Sequence, residues 1–105
     1  MPPRRLAVAS LSARWLAESA QRSGQRAVAL DLFGDVDTRR AAAAWYRIGE
    51  PGSMQIDIDR LLRVLRRLYR AGRIDGWVAG AGFDGIASVW LSLYTHLTLP
   101  TSYSV

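Results

Sequence analysis

Cysteine and lysine are both absent from the sequence, because all fourteen of its basic residues are arginine. Without cysteine the chain has no disulfide, no thiolate nucleophile and no cysteine-ligated zinc. Without lysine it has neither a Schiff-base lysine nor the lysine of a phosphate-binding P-loop. His96 is the one histidine, so a hydrolytic triad or a histidine metal cluster has no residues from which to be built.

The length and the charge limit the number of domains and the kinds of partner. The 105 residues are enough for one domain, since domains commonly have roughly 100 residues. The net charge of +5 would permit a nucleic-acid partner. Much of it comes from one predicted helix, where charge on the outer face is the ordinary solvated condition; these arginines are Arg60, Arg63, Arg66, Arg67, Arg70 and Arg73. We therefore expect no nucleic-acid partner.

Neither end of the sequence is typical of a targeting or membrane segment. The apolar run near the amino terminus is broken by Ser10, Ser12 and Arg14, which is unlike a secretory signal. Residues 86–105 include no charged residue, but Pro100 and the many hydroxyl groups disfavour a membrane span. We expect a cytoplasmic location and no membrane partner.

Four short apolar runs alternate with helical patterns along the chain. The strongest pattern covers residues 57–71, where leucines recur at helical spacing between the arginines, with Asp57 as its cap and Gly72 as its stop. The predicted strands are residues 6–9, 27–30, 45–48 and 77–79, and the other predicted helices are residues 13–23, capped by Ser12 and ended by Gly24, and 38–44, capped by Asp37. This alternation requires a parallel sheet with right-handed crossovers. The sequence therefore predicts an α/β fold, a Rossmann-like half-domain with a short parallel sheet of about four strands and helices on both faces.

The end of the chain departs from this pattern. Serine, threonine, leucine and tyrosine replace the alanine and arginine that dominate before it. The codons TAT ACA CAT CTG ACG CTG CCG ACG would encode YTHLTLPT, residues 94–101, and that nucleotide string is similar to a common sequencing-library adapter. We expect residues 1–90 to be the domain and residues 91–105 to be a non-native tail, which is excluded from fold reasoning as a fusion scar is.

Three aspartates follow the second predicted strand in DLFGDVDTRR, residues 31–40. Asp31 lies about 20 residues after the first turn, the offset of an acid that binds a ribose in dinucleotide-binding folds. However, that turn lacks the glycines that let a backbone approach a pyrophosphate. The pattern favours a cap-and-turn role for Asp35 and Asp37, with Gly34 at a positive φ, over a metal site, because the spacing is not that of a calcium loop.

Two other features have a functional and a structural interpretation. GAGFDG, residues 80–85, matches G-x-G-x-x-G, but no acid follows it, so a tight turn is favoured over a phosphate loop. The four tryptophans, Trp15, Trp45, Trp77 and Trp90, are expected to pack in the core or an interface rather than form a stacking platform.

Two local motifs and the order of elements carry a resemblance to a known family. The string LSARWLAESAQRSGQRAVALDLFGDVDTRRAAAAWYRIG resembles the amino-terminal, Rossmann-like pre-ATP-grasp region of bacterial ATP-grasp proteins of the carboxylate-amine ligase type, with its S-A-R-x-L-A-x-S-A helix and D-L-F-G-D-x-D-T-R loop. The later AGFDG is similar to the turn after the fourth strand there. The resemblance covers residues 6–85.

The resemblance implies that the parent protein forms an acyl phosphate with ATP and joins it to an amine. ATP and Mg²⁺ would be held by later domains, which are the expected partners together with a small-molecule substrate. The residues that carry over as candidates for the substrate cleft are Ser12, Asp31, Gly34 and Asp35. We expect this chain to be a non-catalytic fragment, with no catalytic, cofactor-binding or metal-binding residue, that is marginally stable or aggregates alone.

Two alternatives remain open. The chain could be a stand-alone module that binds a nucleotide at the Asp31 edge or at GAGFDG. It could also be an interaction domain whose arginine-rich helix docks on an acidic partner.

Overall fold

In the computed structural model, the described part of the chain is residues 5–80 together with the short strand 101–103. The strands are β1 (Leu6–Ala9), β2 (Val28–Asp31), β3 (Ala44–Arg47), β4 (Gly76–Ala79) and β5 (Thr101–Tyr103). The helices are α1 (Arg14–Arg22), α2 (Val36–Ala41) and α3 (Ile58–Arg70), and a 3₁₀ turn covers Pro51–Ser53. No helix within these residues is long and apolar enough to cross a membrane.

The strands form one parallel sheet in the order β3-β2-β1-β4-β5. The chain moves outward from β1 to β3 through α1 and α2, and α3 then returns it to the other side of β1. Two apolar clusters place α1 and α2 on one face of the sheet and α3 on the other. The predicted α/β fold with helices on both faces is therefore confirmed, and the direction of winding reverses between β1 and β4.

The two faces of the sheet differ in the size of their side chains. The core between the sheet and α3 contains large residues, including Leu30 and Trp77 of the sheet and Leu61 and Leu65 of α3. The core between the sheet and helices α1 and α2 consists mainly of small residues contributed by both layers, namely Val8, Ala13, Ala17, Ala27, Ala29, Ala41 and Ala42. Small side chains allow close approach of two elements, so α1 and α2 lie near the sheet while α3 rests on a thicker core.

The structure corrects the predicted caps of two helices. Ser12 does not cap α1. The residue at the cap position is Ala13, and no side chain makes a capping hydrogen bond there. Helix α2 begins at Val36 and is capped by Asp35, not by Asp37. The cap and stop of α3 are confirmed, since Asp57 accepts a hydrogen bond from the backbone N–H of Arg60 and Gly72 has a φ of 71°.

The tryptophans differ in their environments. Trp77 is buried in the core, as expected, and Trp45 is half-buried. Trp15 is 64% exposed on α1, so it does not pack in the core, and the alternative expectation that it packs in an interface stays a prediction. Trp90 lies outside the described residues, as does GAGFDG beyond Gly80.

The fifth strand comes from the segment predicted to be a non-native tail. Its backbone pairs with β4, with Thr101 opposite Trp77 and Tyr103 opposite Ala79. The sheet thus has five strands instead of about four, and the first four are those expected from the sequence. The non-native origin of residues 91–105 concerns the gene and stays a prediction.

Candidate functional site

The loops that follow β1 and β2 lie together at the carboxyl edge of the sheet. The backbone N–H of Leu32 donates to the carbonyl oxygen of Leu11 at 3.3 Å, and that of Ser10 donates to Leu30 at 3.1 Å. At the end of β4, the N–H of Gly80 donates to Ala9 at 2.8 Å. Open α/β sheets bind ligands outside the carboxyl ends of their strands, where the winding reverses. The edge beside β1 is therefore the candidate site by position.

Asp31 is the central residue of this edge. It ends β2, and its side chain is fully buried, with 0% exposure. Oδ2 accepts a hydrogen bond from the backbone N–H of Ala13 at 2.9 Å. Oδ1 accepts from the backbone N–H of Gly34 at 2.9 Å and from the indole N–H of Trp45 at 2.6 Å. One carboxylate thus joins the start of α1, the β2–α2 loop and strand β3.

The local sequence explains why this carboxylate points inward. Side chains alternate along β2, so that Leu30 faces the α3 layer while Ala29 faces the alanine layer. Asp31 therefore shares the side of Ala29, next to the start of α1. A buried carboxylate costs several kcal/mol unless hydrogen bonds replace its water, and the three N–H donors supply that replacement.

Trp45 and Gly34 complete the packing around Asp31. Gly34 has a φ of 55°, and a Cβ atom there would lie 2.4 Å from Cζ2 of Trp45. The guanidinium carbon of Arg39 lies 4.4 Å from the centroid of the Trp45 ring, at cation–π distance. Glycine is needed at position 34 both for its backbone conformation and for the space that the indole occupies.

Asp35 lies at the rim of the same loop and is exposed. Its Oδ1 accepts from the backbone N–H and from the hydroxyl of Thr38, both at 2.8 Å. These hydrogen bonds, the backbone one first, lower the pKa of Asp35 below the ordinary value of 3.8. The charge of Arg14 and the backbone N–H of Asp37 lower the pKa further, and desolvation partly opposes them. The carboxylate is therefore ionised at neutral pH.

The four candidate residues fall into two pairs. Ser12 and Asp35 are exposed at the rim, whereas Asp31 and Gly34 are buried beneath it. The expectation that Asp31 presents its carboxylate to a cleft is corrected, because both of its oxygens accept hydrogen bonds from this chain and it has no exposed surface. Asp31 positions the loops that carry the other candidates.

The three aspartates do not converge on a common point. The oxygens of Asp31 face buried N–H groups, Asp35 caps α2, and Asp37 lies 3.7 Å from Arg14 in an exposed ion pair. Within residues 5–80, no group of three or more acidic, histidine or cysteine side chains could hold a metal ion.

Sequence reasoning missed two residues of this edge. The sequence predicts that Trp45 packs in the core or an interface, but it does not predict the hydrogen bond from its indole N–H to Asp31. A buried or half-buried indole N–H usually has a hydrogen-bond acceptor, and this rule is the one signal that could have indicated a polar partner. Ser10, at the end of β1, is 3% exposed and lies 3.0 Å from the position that a Cβ of Gly80 would take. No pattern in the sequence marks Ser10, because its position follows from the pairing of β1 with β4.

Comparison with known proteins adds no relative. No protein-family model matches the chain, and no curated protein matches its sequence.

The Asp31 network predicts a large difference between two isosteric substitutions. Asp31→Asn places an amide N–H₂ against at least one buried N–H donor, so we expect the free energy of unfolding to fall by about 1–3 kcal/mol or more. Asp37→Asn removes only an exposed ion pair, and we expect a loss below about 1 kcal/mol. Urea unfolding followed by circular dichroism measures both. Equal losses would show that the buried carboxylate is not a structural centre.

The contact between Gly34 and Trp45 predicts unequal effects at two glycines of positive φ. Gly24 has a φ of 82° with nothing within 4 Å of an added Cβ, so Gly24→Ala should cost only the backbone term of about 1–2 kcal/mol. Gly34→Ala adds a clash with the indole, which should cost about 1–3 kcal/mol more. The two variants are compared by urea unfolding, and similar midpoints would contradict the proposed close packing.

The lowered pKa of Asp35 predicts a pH dependence in the acid range. Because the folded pKa lies below 3.8, the ionised carboxylate contributes stability above that pH, and the contribution is lost as the pH falls through the folded pKa. Asp35→Asn keeps a cap acceptor but does not titrate. The stability difference between the wild type and Asp35→Asn should therefore shrink below pH 3.8. Urea unfolding across the acid range measures it, and a constant difference would refute the assignment.

Proposed function

We propose that this chain is the Rossmann-like amino-terminal half-domain of a cytoplasmic, ATP-dependent ligase of the carboxylate-amine type, and that it positions the acceptor substrate without catalysing the reaction. One observation carries the proposal. The two motifs of the resemblance, S-A-R-x-L-A-x-S-A and D-L-F-G-D-x-D-T-R, are in direct contact through the hydrogen bond from the N–H of Ala13 to Asp31 at 2.9 Å. Both motifs thus belong to one unit at the carboxyl edge, where doubly wound sheets bind ligands.

The exposed residues of this unit suit an amine-bearing substrate. Asp35 is ionised at neutral pH, and its two hydrogen bonds to Thr38 both use Oδ1. The carboxylate is exposed at the rim, so it can accept a further hydrogen bond from an amine. The exposed hydroxyl of Ser12 can donate or accept at the neighbouring loop. In this proposal Asp35 attracts the amine and Ser12 orients it.

The nucleotide and the metal are assigned to other segments of the parent protein. In residues 5–80 no cluster of acidic side chains suits Mg²⁺, and the acid at the ribose-binding offset, Asp31, is occupied by three N–H groups of its own chain. Activation of a carboxylate as an acyl phosphate would take place on later domains. The half-domain contributes a rigid wall of the cleft and the contacts to the acceptor.

The proposal predicts the nucleotide sequence that follows the Trp90 codon in the genome. We expect an open reading frame that continues past this codon into segments containing lysines and paired carboxylates, which hold ATP and Mg²⁺ in the family that the chain resembles. Amplification and sequencing of the genomic locus test this directly. A stop codon immediately after the Val105 codon would contradict the proposal and would favour a stand-alone module.

Titration of the 105-residue protein with ATP and Mg²⁺ provides the matching biochemical control. We expect no saturable change in tryptophan fluorescence, because the residues that bind nucleotide are assigned elsewhere. Saturable binding that is lost in Asp35→Asn would instead favour a nucleotide-binding module.

A further inference from the structure

The sheet has a free edge at β3. This strand pairs with β2 on one side, and among the described residues no strand pairs with it on the other. An unpaired edge exposes backbone N–H and C=O groups at alternate residues, which can bind an added strand. Natural proteins often protect such an edge with charged side chains, so the charges beside β3 determine what can approach it.

A groove of about 240 Å³ runs between this edge and α3. Its lining residues are Tyr46, Arg47, Arg60, Arg63, Val64 and Arg67. The three arginines of α3 recur at positions i, i+3 and i+7, so they share one side of the helix. Arg47 lines the groove at the end of β3, with its guanidinium carbon 5.6 Å from the centroid of the Trp45 ring. Tyr46 and Val64 are half-buried and form an apolar floor beneath the guanidinium groups.

The positive charge of this groove is largely unbalanced. Across the described residues, Glu50 is the one carboxylate within ion-pair distance of these four arginines, with 3.8 Å between its Oε1 and Nη1 of Arg60. Its side chain is 68% exposed, and such exposed pairs contribute little. Guanidinium groups bind carboxylates through paired hydrogen bonds. The groove is therefore suited to a ligand with several negative charges.

The charges also select the occupant of the edge. A second copy of this chain, paired through β3, would bring two sets of arginines together and repel. The final segment of this chain is unsuitable as well, because Asp84 is the only acid after Asp75. An acidic segment of another polypeptide satisfies both the backbone groups of the edge and the arginines of the groove.

We propose that the β3 edge and the arginine groove bind an extended acidic peptide segment, which adds as a strand beside β3 and pairs its carboxylates with arginines of α3. The helix rises about 6 Å from Arg63 to Arg67, at about 1.5 Å per residue. Alternate side chains of a strand lie about 7 Å apart on one face, so acids at positions i and i+2 have nearly the spacing of these two arginines. The groove lies on the α3 face of the sheet, so this proposal does not depend on the substrate contacts of Ser12 and Asp35.

A fluorescein-labelled, capped peptide in which glutamate alternates with threonine tests the proposal by fluorescence anisotropy with the 105-residue protein. We expect saturable binding that weakens at least about tenfold, or about 1.4 kcal/mol, in the double variant Arg63→Glu with Arg67→Glu. The matched control is the double variant Arg22→Glu with Arg40→Glu, because both residues are exposed on α1 and α2, on the other face of the sheet, and the change in net charge is the same. We expect it to stay within about twofold of the wild type. Circular dichroism confirms that all variants keep their helices.

Two altered peptides separate strand addition from simple charge attraction without changing the protein. A peptide N-methylated at alternate residues cannot donate backbone hydrogen bonds along one edge. A peptide with glutamine in place of glutamate has no carboxylate charge. We expect each peptide to bind at least about tenfold more weakly than the original. Equal binding of the N-methylated peptide would overturn strand addition. Equal binding of the glutamine peptide would overturn the requirement for acid. Displacement of the peptide by inorganic tripolyphosphate, combined with equal binding of the N-methylated peptide, would identify a phosphate site instead.

Discussion

The carboxylate of Asp31 is the interaction on which the carboxyl edge of this sheet depends. Its side chain is fully buried, and its two oxygens accept hydrogen bonds from two backbone N–H groups and one indole N–H. A buried carboxylate is costly when a donor is missing and well stabilised when every lone pair is directed at one. The start of α1, the β2–α2 loop and β3 are consequently held in one arrangement, since movement of any of them would leave the carboxylate short of a donor.

The hydrogen bonds of Asp31 also determine the positions of the exposed residues at the rim. Ser12 immediately precedes the residue whose N–H binds Asp31, and Asp35 immediately follows Gly34, whose N–H binds the same carboxylate. Both rim residues are therefore positioned by a buried contact one residue away. Binding groups placed on such supported loops need less ordering when a ligand arrives. The proposed substrate-positioning role is consistent with this arrangement. In it, the buried Asp31 holds the loops in place and the exposed Asp35 contacts the substrate.

The sequence was sufficient to predict the order and type of the elements but not the role of Asp31. Helical spacing of leucines defined α3 to within one residue at each end, and short apolar runs located β1 and β4, because these patterns reflect burial that each segment carries by itself. The donors to Asp31 lie 18, 3 and 14 residues away along the chain, so they are known only once β2 lies between β1 and β3. For the same reason the cap of α1 was misassigned to Ser12. The groove could not be predicted for the same reason, since Tyr46 of β3 and the arginines of α3 come together only after the strand order is fixed.

The alanine content of the chain has a structural reason beyond helix propensity. Ala13 and Ala17 are fully buried against Val8 and Ala29, and this thin layer brings the N–H of Ala13 within 2.9 Å of Asp31. A larger side chain at either alanine would move α1 away from the sheet and leave the carboxylate without that donor. The two motifs that resemble the ATP-grasp region are thus linked physically, because the small residues of the first determine whether the acid of the second can be buried. On the α1 side, a substitution at this edge is therefore tolerated only if the new side chain is small. On the β2 side, it is tolerated only if the new side chain can accept the hydrogen bonds that Asp31 accepts.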